Sequence, residues 1–249
     1  MGLFGRRRGG DKRPGFWLRV AVMIVKPVMV FFTKATWLGF ENIPLKGGVI
    51  FAVNHISHAD PLAVAFFIYD SGRNPSFLGK AGIFTIPVLG PIIKATGQIP
   101  VYRGTADAVK SLHDAISAVD DGRGVIIYPE GTTTRQPDMW PMRGKNGVAR
   151  LALETGAPVV PVGQWGPQNL YNPITKKLRL RPRTPVTIKA GPPVDLSRWQ
   201  GVEPTSASLN EMTDAIMRRI AGIVGELRGE EPPPLHESSA RFTDKPKKA

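Results

Sequence analysis

The stretch "GGVIFAVNHISHADPLAVAFF", residues 47–67, constrains the fold more than any other part of the chain. From Val49 to Val53 it is apolar at every position. A strand with one wet face alternates apolar and polar residues, so this unbroken run predicts a strand buried on both faces. The glycine pair before it predicts the turn that delivers the strand. Seven mostly polar or small residues, Asn54 to Asp60, then separate it from a second apolar run. Pro61 at the head of that run suits the first turn of a helix. A doubly buried strand feeding directly into a helix requires a sheet covered by helices.

Further along, the pattern repeats. Short apolar runs at "PSFLG" (75–79), "QIPVYR" (98–103), "GVIIYPEG" (124–131) and "APVVPVGQW" (157–165) read as four more strands. "KKLRLRP" (176–182) and "VTIKAG" (186–191) alternate, and predict strands nearer an edge. Val109, Leu112, Ile116 and Val119 have helical spacing, with Thr105 as the cap and Gly122 as the stop. "GKNGVARLALETG" (144–156) predicts a second helix and "SLNEMTDAIMRRIAGIVGELRG" (208–229) a long amphipathic one. Residues 81–97 carry Pro87, Pro91 and several glycines, and predict a broken helix or packed loop. The expectation is an α/β fold with a central, mostly parallel or mixed sheet covered by helices. Its predicted division is a basic leader and membrane-associating helix over residues 1–35, one α/β domain over 36–228 and a disordered tail over 229–249.

Cysteine is absent, which excludes disulfides, cysteine-ligated metals and a thiol nucleophile. Four scattered histidines make no histidine-rich metal site. Lys and Arg number 33 against 20 Asp and Glu, a formal charge of +13, and so an anionic partner is expected. The default for such a charge is nucleic acid, but the distribution of the apolar residues argues for a membrane. Residues 16–32, "FWLRVAVMIVKPVMVFF", are apolar but broken by Arg19, Lys26 and Pro27, and follow a basic, glycine-rich leader expected to be mobile. A membrane span needs about 20 largely apolar residues. "TKATWLGF", which follows, is a poor cleavage site for a signal peptide. Two readings remain: a helix lying in the membrane interface with its cations snorkelling to anionic headgroups, or a core helix with a basic arm.

Four strand ends carry groups that can do chemistry. In "NHISHAD" the histidine His55 ends a strand and Asp60 sits where a helix N-cap belongs. Five residues apart on one helix they would diverge by about 140°. Across a strand-to-helix turn the imidazole can fold back onto the carboxylate, which then fixes the ring's tautomer and favours its protonated form, as a general base requires. His58 reads as a solvent-facing neighbour. Glu130 ends the strand in "VIIYPEGTTTR", where ligands of α/β sheets gather, and Gly131 permits close backbone approach. Arg103 and Lys80 also follow predicted strands, and Arg143 and Lys145 lie in "MRGKNG". Cations repeated at this position suit a phosphate.

Taken in order, these blocks resemble the glycerolipid acyltransferase family, the 1-acylglycerol-3-phosphate acyltransferases and their relatives. "NHISHADP" is similar to the family's NHxxxxD signature, "GQIPVYRG" to its second block, "YPEGTTTR" to its third and "GAPVVPV" to its fourth. The resemblance implies transfer of an acyl group from acyl-CoA or acyl-carrier protein to a hydroxyl, without a cofactor, metal or acyl-enzyme. His55 is then the general base and Asp60 orients it. Arg103, with Lys80 or Lys145, holds the acceptor's phosphate, and Glu130, Gly131 and Thr132 bind the acceptor near its hydroxyl. Lysophosphatidic acid is the modal acceptor, with glycerol-3-phosphate or a phosphoinositol glycolipid as alternatives. The implied place is the cytoplasmic face of the cell membrane, peripheral or monotopic, with anionic lipids and both substrates as partners and no nucleic acid. The third block departs from the family: Thr133 stands at the usual arginine position. Either Arg135 reaches back, or Arg143 or Lys145 replaces that cation. Tyr128 replaces the usual phenylalanine, a mild change unless its hydroxyl is buried without a partner.

Two other function classes compete. A serine hydrolase using Ser57 with His55 lacks the GxSxG elbow, and the two residues are too close in sequence to aim at one another. A non-enzymatic basic binding protein draws on "TKKLRLRPRTPVTIK", with six cations and no acid, but no aromatics interleave there as stacking platforms. That stretch reads as a basic edge toward anionic headgroups or the phosphates of CoA.

Overall fold

The computed structural model describes residues 10, 11, 14–102 and 108–235. Seven strands form one sheet in the order β1-β7-β6-β2-β5-β3-β4. They are β1 (Thr33–Leu38), β2 (Val49–Val53), β3 (Pro75–Lys80), β4 (Ile99–Val101), β5 (Gly124–Ile127), β6 (Val159–Trp165) and β7 (Thr184–Ala190). Every neighbouring pair is parallel except β6 and β7. Helices α1 (Phe16–Phe32) and α2 (Asp60–Asp70) lie on one face, and α4 (Ala108–Asp120), α5 (Gly147–Thr155) and α6 (Ser206–Arg228) on the other. A short α3 (Leu89–Ala95) follows a 3₁₀ turn at Ala81–Ile83, as the proline-broken stretch predicts.

The doubly buried strand is where the sequence puts it. Val49, Phe51 and Val53 pack with α1 and α2, while Ile50 and Ala52 pack toward α4, α5 and α6. Alternation sends successive side chains to opposite faces, and both faces are covered. Each large side chain fully removed from water here contributes about 1.5–3 kcal/mol. The backbone positions of β2 are therefore fixed, and so is the turn that leaves it.

Several expectations are corrected at the edge of the sheet. Thr33–Leu38, within the rejected cleavage site and overlapping the leader segment, is the edge strand β1. "VTIKA" falls in β7, which lies inside the edge because β1 pairs in parallel along it. "KKLRLRP" is no strand; it makes one isolated bridge, Tyr171 to Leu178. Lys26 does not snorkel. It is buried and its ammonium donates to Asp70 at 2.5 Å, while Trp37 Nε1 donates to the other oxygen at 3.1 Å. Only 4% of Lys26 is exposed, its ammonium lies 5.7 Å from the centroid of the Tyr69 ring, and a buried charge persists only with a partner.

At the chain's two ends, Asp11 of the leader pairs with the buried Arg73 at 3.0 Å. Gly229 to Leu235, within the expected tail, are described, and Leu235 packs against the core. Among the described residues no helix is long and apolar enough to cross a membrane. The basic leader up to residue 9, Arg103, Thr105 and residues 236–249 lie outside the described residues.

Candidate active site

Beyond the C-terminal end of β2 the chain turns sharply, and the turn is held from three sides. Asn54 is fully buried and exchanges amide hydrogen bonds with Gln164 of β6: its Nδ2 donates to Gln164 O, its Oδ1 accepts from Gln164 N, and its carbonyl accepts from Gln164 Nε2. The side chain thus continues the β2–β6 ladder for one residue past the strand. His55 comes next. Its backbone N–H donates to Glu130 Oε1 at 2.8 Å and its carbonyl accepts from Thr134 N–H. Both polar groups of the His55 peptide are therefore taken by the loop that follows β5.

Asp60 closes the turn from inside. It is fully buried, and both its oxygens lie about 3 Å from His55 Nδ1, at 3.1 and 3.0 Å. Its Oδ2 also accepts the backbone N–H groups of Ile56 and Ser57 at 2.8 and 3.0 Å. Asp60 is the first residue of α2, not its cap: the N-cap is Ala59 and makes no side-chain bond. The expected capping role is corrected here, because the carboxylate points back into the turn and is spent on three donors there. An ionised Asp60 can only accept, so Nδ1 is the donor in this pair. The imidazole is mostly covered, with 15% of the side chain exposed. Tyr128 stacks on it with centroids 4.2 Å apart and planes at 22°.

Glu130 is placed otherwise than the strand-end argument expects. It is fully buried, and its second oxygen accepts the Met142 N–H at 3.1 Å. Burial pushes its carboxyl from the usual 4.5 up to about 8, the two N–H donors pull it back only in part, and the charge of Asp60 adds to the rise. Its carboxyl does not line the cavity. Tyr128 has its hydroxyl buried beside Asp60 but outside hydrogen-bond geometry. Burial, and then the Asp60 charge, push that phenol well above its ordinary value.

A cavity of about 1150 Å³ opens at His55 and His58. Its walls are mainly apolar and come from α1, α2, the β3 end and the 81–97 segment, including Val22, Val25, Phe66 and Phe84. Lys80, Gly131, Thr132 and Lys145 reach it, so four of the expected site residues gather with His55. Gly131 has φ +71°, which favours glycine, and a Cβ there would press at 3.3 Å on the stem of Lys145. Its N–H is already used, donating to Tyr128 O at 3.0 Å. Arg143 is not brought in; it pairs with Asp214 on α6 at 2.6 Å. Arg135 is exposed and does not line the cavity. Among the described residues no His, Asp and Glu side chains group as metal ligands. Sequence reasoning passed over Asn54 and Thr134, both inside motifs it quoted. The signal available was only their polarity next to buried strands.

The model of the acyltransferase family matches residues 35–165, more than half of the chain. The chain belongs to this family. It is 34% identical over 134 residues to a 1-acyl-sn-glycerol-3-phosphate acyltransferase of Borreliella burgdorferi, covering 53% of the chain and 52% of that protein. It is 31% identical over 137 residues to a chloroplastic 1-acyl-sn-glycerol-3-phosphate acyltransferase of Brassica napus, covering 54% of the chain and 38% of that protein. The chain thus spans about half or less of these relatives' length. Among solved structures it is similar to the 1-acyl-sn-glycerophosphate acyltransferase PlsC of Thermotoga maritima, at 26% identity and a TM-score of 0.59 over 86% of this chain and 85% of that one. The α/β architecture with a mostly parallel sheet is common to both. The family match begins inside β1 and ends with β6, so it encloses the His55 turn, the Glu130 loop and Asn54's partner Gln164.

Proposed function

We propose that the chain acylates the free hydroxyl of a lysophosphatidic acid with a fatty acyl thioester, giving phosphatidic acid. One observation carries the reading: an imidazole whose Nδ1 is held by a buried carboxylate, and whose Nε2 makes no hydrogen bond among the described residues, lies at a large apolar cavity with two lysines at its wall. The family membership and the relatives' names support the same choice of substrates.

In this mechanism His55 Nε2 takes the proton of the acceptor hydroxyl as its oxygen attacks the thioester carbonyl. The acyl C–O bond forms, the carbonyl oxygen becomes an oxyanion, and Asp60 stabilises the imidazolium. Collapse breaks the C–S bond, and the imidazolium returns its proton to the leaving thiolate. The nucleophile belongs to the acceptor, so no acyl-enzyme forms. Thr132 and Thr133 line the cavity, and their N–H groups have no partner among the described residues. They are the candidate oxyanion donors. Lys80 and Lys145, with Arg103, hold the phosphate, and the apolar walls take the acyl chain. Acyl-CoA and acyl-carrier protein both present the required thioester.

The placement proposed is peripheral, on an anionic leaflet such as the cytoplasmic one. Helix α1 supports it: Leu18, Val22, Lys26 and Met29 face the domain, while Phe16, Met23, Ile24, Val28 and Phe31 are left exposed along the same helix.

The decisive assay mixes the protein with acyl-CoA and lysophosphatidic acid and follows released thiol with a thiol reagent. The protein has no cysteine and gives no background. Release that requires the acceptor and is lost in His55→Ala is the expected result. Thiol release without acceptor would instead make the chain a hydrolase.

A further inference from the structure

A second surface lies outside the cavity. Between β6 and β7 the chain makes an excursion, residues 174–183, in which every residue is exposed. Residues 176–183 include five cations, Lys176, Lys177, Arg179, Arg181 and Arg183, and no acid. None of the five forms an ion pair among the described residues. Solvated cations on a loop are ordinary, but their neighbours here are not. Ile174, Leu178 and Leu180 stand in the same excursion, exposed at 48%, 61% and 57%.

Both ends of the excursion are tied to parts already described. Arg183 N–H donates to the carbonyl of Phe31 at 3.2 Å, so one end lies against the last turn of α1, whose Phe31 and Val28 are exposed. The other end is tied to the His55 turn. Ser57 Oγ donates to the carbonyl of Tyr171 at 2.8 Å, and the Tyr171 ring lies 5.4 Å from that of His58 at the cavity.

We propose that this excursion is a second membrane contact, which takes anionic phospholipid headgroups with its cations and enters the interface with Leu178 and Leu180. It rests on the membrane placement of α1 proposed above. Charge and apolarity choose the occupant together. Cations alone would suit any acidic partner, but leucines interleaved with arginines, continuous with an exposed apolar helix, match the boundary between headgroups and acyl chains. Helix α1 lines the cavity with Leu18, Val22 and Val25, so a contact made by α1 and the excursion together brings the cavity to the lipid that supplies an amphipathic acceptor. Ser57 and Tyr171 join that contact to the turn carrying His55.

The test uses the full chain and co-sedimentation with phosphatidylcholine vesicles, with and without phosphatidylglycerol. Each cation near an anionic surface changes partitioning by about fivefold. Replacing four together, Lys177→Gln, Arg179→Gln, Arg181→Gln and Arg183→Gln, is expected to weaken binding to the anionic vesicles by on the order of several hundredfold, with binding to neutral vesicles unchanged. Leu178→Ser with Leu180→Ser is expected to weaken binding to both kinds. All six positions are exposed, and an unchanged circular dichroism spectrum checks that each variant folds. Equal binding of the fourfold variant and the parent to anionic vesicles overturns the inference while leaving the α1 placement standing. Failure of the parent to bind either vesicle overturns both. Unchanged vesicle binding with a raised KM for the acyl donor overturns it in favour of an acidic-donor site.

Discussion

The turn after β2 and the turn after β5 leave neighbouring parallel strands at the same, C-terminal, end of the sheet. Each carries one fully buried acid, Asp60 in the first and Glu130 in the second. Asp60 spends its oxygens on a side-chain nitrogen and two N–H groups of its own turn. Glu130 spends its oxygens on backbone N–H groups alone, one of them belonging to His55 in the other turn. The first turn therefore presents an imidazole to the cavity, and the second holds the peptide that carries it. In the strand-end argument the two acids look alike. What separates them is reach: a carboxylate folded back under its own turn meets the imidazole ring, whereas one below a longer loop meets the backbone.

That division can be broken experimentally. The largest expected effect is on His55: His55→Ala should lower acyl transfer by about 10²–10⁴-fold, the range of a positioned base, with folding intact. Asp60→Ala should lose on the order of 10²-fold or more in rate and also stability, since it strips two buried N–H groups of their acceptor. Activity retained in either variant, measured by thiol release, would remove the base from this turn.

Glu130 comes next. Glu130→Ala leaves the His55 and Met142 N–H groups unsatisfied, and should cost about 2–5 kcal/mol in denaturant unfolding. If Glu130 positions rather than binds, kcat falls while the acceptor KM holds. A KM rise without a kcat loss would return it to the acceptor.

Its raised carboxyl gives a pH signature as well. Folded Glu130 keeps its proton up to about 8, whereas the unfolded chain releases it near 4.5. Stability from burying the neutral acid is complete below the lower value, and is lost as pH rises through the upper one. The protein should therefore unfold at lower urea at pH 8.5 than at pH 5.5, and Glu130→Gln should flatten that slope. An identical slope in both proteins would mean that Glu130 is ionised throughout.

The two cations of "MRGKNG" sharpen the comparison at a smaller scale. Lys145→Ala should raise the acceptor KM by about tenfold or more, as loss of a charged contact does. Arg143→Ala should leave KM unchanged and cost at most about 1 kcal/mol, because its Asp214 partner lies on a partly exposed face. The smallest effect belongs to Tyr128→Phe. It removes a buried hydroxyl but keeps the ring stacked on His55, so rate should shift by less than about threefold and stability by less than about 1 kcal/mol. A larger loss of rate would show that the hydroxyl acts on Asp60.

Much of this molecule was legible in one dimension. Apolar runs without alternation dictated a sheet covered on both faces, because a polar residue anywhere in β2 would be buried unpaired. The same runs put His55 at a strand end and Pro61 in the first turn of α2. These two facts allowed a turn that brings His55 onto Asp60, and equally a plain helix cap at Asp60; the structure chose the first. Other features could be decided only in three dimensions, because they depend on partners far along the chain. Asn54 meets Gln164 across 110 residues, and Glu130 meets the His55 N–H across 75. Lys26, read as a snorkelling cation, is buried because Asp70 comes to it across 44 residues. Thr33–Leu38 becomes a strand only because β7 offers an edge for it to pair with. Local pattern fixes which residues must leave water; the crossing of distant strands fixes which polar groups go with them and what each then holds.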